Sequence, residues 1–105
     1  MTVVVKIHEL AAEALDAWMT RHSQPPTGSR EMAKLLKAEL FAELARTEGK
    51  PEKSKWIDAG DLSHFRWQFS ADTWVRFVIH DQPARWFRPA SRKVIITSIS
   101  DSADG

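Results

Sequence analysis

The sequence predicts a single α+β domain in which an antiparallel helix pair packs on one face of a mainly antiparallel sheet, in the order β-α-α-β-β-β. Three observations carry this. A β-branched run, TVVVKI, opens the chain; two segments of helical period flank a Pro/Gly loop; and FRWQF, WVRFVIH and KVIITSI have the length and pattern of strands. A length of 105 residues suits one core, so 1–105 read as one domain, with the polar end SDSADG (100–105) expected to fray.

Each element has its own local reason. In residues 2–10, Val3, Val5 and Ile7 alternate with Val4, Lys6 and His8, and β-branched side chains favour the pleat. ELAAEALDAWMTRH then switches period: Leu10, Ala14, Leu15, Trp18 and Met19 make one stripe, opposite Glu13, Asp16 and Arg21. SQPPTGS (23–29) ends that helix, because its two prolines remove donors and bias the preceding residues away from helical angles. Ser29 is a suitable N-cap for the next helix, which holds Met32, Leu36, Leu40 and Leu44, flanked by Leu35 and Phe41, and stops at Gly49. Residues 50–63 lack a clear period and read as a connector. Residues 65–69 and 74–80 read as strands, 81–92 as a loop with two prolines, and 93–99 as the last strand.

Pairing decides which side chains of the hairpin face outward. With Phe69 opposite Val75, Trp67 meets Phe77 and Phe65 meets Ile79, and all six are apolar. A one-residue slip would set Trp67 against Arg76 and mix the two faces. The face away from the helices then carries Arg66, Gln68, Trp74, Arg76, Val78 and His80.

Composition narrows the function classes. The net charge is +1, too small for a strongly basic nucleic-acid module, but it is unevenly spread: −1 over residues 1–49, +4 over 50–93 and −2 over 94–105. Four of the five tryptophans (Trp56, Trp67, Trp74, Trp86) fall in the basic part. There is no cysteine, and no apolar run approaches the ~18–20 residues that cross a bilayer. The start MTVVVKIHEL lacks the pattern of a secretory signal, so a cytoplasmic location is expected, away from membranes. His8, His22, His64 and His80 show no metal-ligand spacing and the glycines form no phosphate loop, so neither a metal nor a cofactor is expected.

The element order, with Arg66 on the first hairpin strand and the W-x-R-F-x-I run at 74–79 on the next, resembles the RelE/ParE superfamily, the toxins of bacterial toxin–antitoxin pairs. The resemblance spans roughly residues 2–100 as a pattern of elements. It implies a RelE-like mRNA interferase acting on the ribosome and neutralised by an antitoxin protein, or a ParE-like inhibitor of DNA gyrase. In RelE-like toxins the open sheet face binds mRNA through basic strand residues, a role that falls here to Arg66 and Arg76, with Lys53 and Lys55 beside them. The chain departs from the family pattern in two places. The last strand offers no Tyr or His as an acid/base group, and RWFRPAS lengthens the turn before it.

Metal-free RNA cleavage requires the 2′-hydroxyl to be deprotonated, the phosphorane stabilised and the leaving oxygen protonated. Arg66 and Arg76 suit the second task, because guanidinium stays charged and binds phosphate at two points. His80 is the candidate for proton transfer near neutral pH. Gln68 joins them on the open face, and Trp74 and Trp86 are candidates for stacking unpaired bases. The alternative expectation is a binding protein without chemistry, engaging gyrase or another host protein, in which Trp86-Phe87 form the contact.

Overall fold

The computed structural model describes residues 2–59 and 62–102. Strand β1 (Thr2–Ile7) leads through a 3-10 turn (Glu9–Ala11) into α1 (Ala12–His22), and α2 (Arg30–Arg46) follows. Four strands complete the chain: β2 (Lys55–Ala59), β3 (Leu62–Ser70), β4 (Thr73–Gln82) and β5 (Ser91–Ser100). They form one sheet in the order β1-β5-β4-β3-β2, antiparallel except that β1 runs parallel to β5. The predicted α+β class, with two helices on one face, is what the molecule adopts.

The helices form where the sequence signals placed them. Ser29 caps α2, its Oγ accepting a hydrogen bond from the Met32 amide at 3.1 Å. Past the end of α2, Gly49 takes φ +78° and its amide closes onto the Leu44 carbonyl at 2.8 Å. A Cβ on Gly49 would stand 3.0 Å from side-chain carbons of both Ile79 and Val94, so the glycine also lets this turn rest on the sheet. Leu15 and Trp18 of α1 and Leu40 and Leu44 of α2 are buried against Trp67, Val75, Phe77, Val94, Ile96 and Ile99. The Trp18 indole, fully buried, donates to Thr73 Oγ at 2.9 Å, which ties α1 to the start of β4.

Several details differ from the sequence expectation, among them that β4 and β5 extend into residues 81–82 and 91–92, expected as loop. Residues 55–59, expected within a connector, form an edge strand paired with β3. The hairpin register is two residues away from the one expected: Phe65 pairs with Phe77 and Trp67 with Val75. Strand side chains repeat every two residues, so this slip leaves both faces unchanged, and all six apolar residues still pack in or against the core. The shift arises at the turn, where Ala71-Asp72 connect Ser70 to Thr73 and the ladder is irregular between Gln68 and Ser70. Leu10 falls on the 3-10 turn before α1 and is 88% exposed, outside the helical stripe. Met32 and Leu35 likewise face solvent, while Ala33 takes the buried position in that turn of α2. The expected fraying of the tail concerns 103–105 in part, which lie outside the described residues; Ser100 still belongs to β5.

A second irregularity shapes β5. Thr97 is skipped in the pairing with β4, which lets Ile96 and Ile99, three residues apart, both face the helices.

Candidate nucleic-acid interface on the open sheet face

Register places the candidate side chains. Lys55 pairs with Arg66, and Arg66 pairs with Arg76, so three cationic residues lie in one row across β2, β3 and β4 on the face away from the helices. Pairing also assigns Lys6 of β1 and Lys93 of β5 to this face. No Asp or Glu of the paired strands falls on it among the described residues. A chain of net charge +1 thus presents one strongly cationic surface.

Beside the row lies a groove of about 640 Å³ walled by Lys53, Ser54, Lys55, Arg66, Gln68 and Trp74. The Arg66 guanidinium carbon sits 5.6 Å from the centroid of the Trp74 ring, a cation–π contact that sets the cation beside an aromatic wall. Lys53 reaches the groove from the turn before β2 with φ +66°, a left-handed conformation costly for a residue with a side chain. The Ser54 amide closes that turn onto the Pro51 carbonyl at 3.1 Å. The groove therefore combines three cations, a carboxamide and an indole, which is the chemistry of phosphate contact plus base stacking.

The structure thus gathers Lys53, Lys55, Arg66, Gln68 and Trp74, with Arg76 next in the row, half-buried and held by contacts of its own. It does not bring His80 to them. His80 is exposed and four residues beyond Arg76 on β4, about 13 Å along the strand. Trp86 is also remote, at the tip of the loop between β4 and β5, and 95% exposed.

Sequence reading passed over two features. His64, which has no role in the sequence reading, lies within β3 on the open face, two residues and about 7 Å of strand from Arg66. It is 8% exposed, and its Nδ1 has no hydrogen-bond partner. The second is the structural use of Arg92. Its guanidinium makes two bonds to the Asp81 carboxylate, at 2.6 and 2.9 Å, and a third to the Glu48 carbonyl at 2.9 Å. That fork locks β4, β5 and the end of α2 together. It also holds the Asp81 carboxyl below the usual carboxylate range, mainly through the hydrogen bonds from Arg92 and then its charge.

Among the described residues, no group of three or more His, Asp or Glu could hold a metal ion, and no helix is long and apolar enough to cross a membrane. Compared with protein-family models, curated proteins and solved structures, the chain matches none.

Proposed function

We propose that the open sheet face binds single-stranded RNA and that the protein is a RelE-like toxin acting on mRNA at the ribosome, in the cytoplasm, under the control of an antitoxin. The observation that carries the reading is the Lys55–Arg66–Arg76 row beside the Trp74 groove. Lys55 and Arg66 supply phosphate contacts, Trp74 offers a ring to an unpaired base, and Lys53 guards the groove mouth. Arg66 and Arg76, on adjacent strands, are arranged to stabilise charge developing on a phosphorane. Cleavage then needs an acceptor for the 2′-hydroxyl proton. His64, with its unpartnered Nδ1 on the same face, supports that role better than the distant His80.

Expression of the wild-type protein in bacteria should arrest growth and leave cleaved mRNA on ribosomes. Arg66→Ala should relieve both effects, His64→Gln should relieve cleavage while keeping RNA binding, and His80→Gln should change neither. Intact mRNA with undiminished growth would remove the toxin reading.

A specific feature favours a second reading, a binding protein without chemistry. The groove's described walls contain neither an imidazole nor a carboxylate, so its own side chains offer binding rather than proton transfer. RNA bound tightly by wild type and never cut, with growth arrest intact, would select this reading.

A further inference from the structure

The loop between β4 and β5 is more ordered than its sequence suggests. Arg85 and Arg88 exchange backbone hydrogen bonds of 2.8 and 3.0 Å, making a tight turn with Trp86 and Phe87 at its tip. The two rings meet edge to face at 5.2 Å, and the Arg88 guanidinium lies 5.7 Å from the Phe87 centroid. The rings do not fold back over the core: Phe87 is 57% exposed and Trp86 almost wholly so. Such a display is costly in water unless something covers it.

The floor beneath this turn shows what it faces. A pocket of about 560 Å³ is bounded by Arg85, Phe87 and Arg88 on one side and by Thr2, Gln82 and Ser91 on the other. Gln82 pairs with Ser91 and Ser91 with Thr2, so these three form one transverse row, and alternation puts them on the same open face as Trp74 and Arg76. The groove and this pocket therefore lie at opposite ends of β4, with Arg76, Val78 and His80 between them. Trp74 and Gln82 are separated by eight steps along the strand, about 26 Å. None of the pocket's lining residues is acidic.

We infer that the Arg85–Phe87–Arg88 pocket is a second nucleotide subsite, in which Phe87 stacks a base and the two arginines hold its flanking phosphates. It rests on the RNA reading of the open face and adds a footprint to it. The separation corresponds to about four nucleotides of extended strand or about eight of fully stacked strand, so a single strand lying along β4 engages both ends. Phe87, not the neighbouring Trp86, is the ring that lines the pocket; Trp86 braces it from outside. The combination of flat rings with guanidinium groups and the absence of acidic neighbours match a polyanion with exposed bases.

The test uses fluorescent 2′-O-methyl oligouridylates, which cannot be cleaved, of about two and about twelve nucleotides, with binding read by anisotropy. Phe87→Ala and Arg88→Gln should each weaken the longer oligomer about tenfold and leave the shorter one within about twofold, and Arg66→Ala should weaken both. Unchanged circular dichroism and Tm should show that these exposed positions leave the fold intact. If Phe87→Ala leaves the longer oligomer unaffected while Arg66→Ala still weakens it, the subsite is overturned and the groove reading stands. Equal losses at both lengths overturn the subsite as well. If wild type binds neither oligomer, the RNA reading itself falls. Loss of binding to anionic phospholipid vesicles on Phe87→Ala, with RNA binding unchanged, would make the tip a lipid contact and overturn the inference.

Discussion

Arg66 and Arg76 stand directly opposite each other on adjacent antiparallel strands, and Lys55 pairs with Arg66 from the other side. Like charges at such positions are unfavourable for a sheet by themselves, and on the proposed RNA reading a phosphate chain lying across Lys55 and Arg66 would relieve the repulsion. RNA binding should therefore be strongly salt-dependent. Arg66→Ala and Lys55→Ala should each reduce the slope of log affinity against log salt by about 1, measured with a single-stranded oligomer over a series of salt concentrations. An unchanged slope in both variants would place the phosphate track elsewhere.

Lys53 provides a separate check, because its backbone conformation favours glycine while its side chain lines the groove proposed to hold RNA. Lys53→Gly should raise stability by up to about 1 kcal/mol in chemical denaturation while weakening RNA binding. A variant that gains stability with undiminished binding would show that Lys53 is not a groove contact.

The Asp81–Arg92 fork predicts an acid-labile joint. The folded-state pKa of Asp81 is depressed, so its contribution to stability is fully present above the unfolded carboxylate value near ~3.9 and is lost as pH falls through the lower folded value. Asp81→Asn should lower Tm at neutral pH and make the loss of Tm on acidification shallower than in wild type. Parallel Tm–pH curves for the two proteins would deny the ion pair that role.

At Gly49, alanine meets both a left-handed backbone and close contacts to Ile79 and Val94. Gly49→Ala should cost about 1–3 kcal/mol in chemical denaturation. A loss below about 0.5 kcal/mol would mean that the turn relaxes freely.

These particulars also show how far the sequence could be read. The faces of the hairpin were legible, since alternation of Phe65, Trp67 and Phe69 with Arg66 and Gln68 survives any two-residue slip. Its register was not, because a two-residue turn and a local irregularity set it, and neither alters the hydrophobic pattern. Strand β2 was missed because KWIDA is short and mixes charge with apolar residues, as edge strands do. Lys55 could therefore not be placed in the cation row until its pairing with Arg66 was known. His64 was not distinguished for a related reason: its position depends on tertiary neighbours, and nothing in its local spacing sets it apart.

The place of β5 has a consequence for how the protein is made. It is the last strand in the chain, yet it sits between β1 and β4, so the first strand has no sheet neighbour until it arrives. During synthesis, the emerging polypeptide can form its helices and its early hairpin, but β1 must wait for residues almost ninety positions downstream. A fragment ending before Ser91 would carry the paired Lys55, Arg66 and Arg76 but leave β1 without a sheet neighbour and the inner edge of β4 open. The five-stranded sheet would thus close only once β5 has been made.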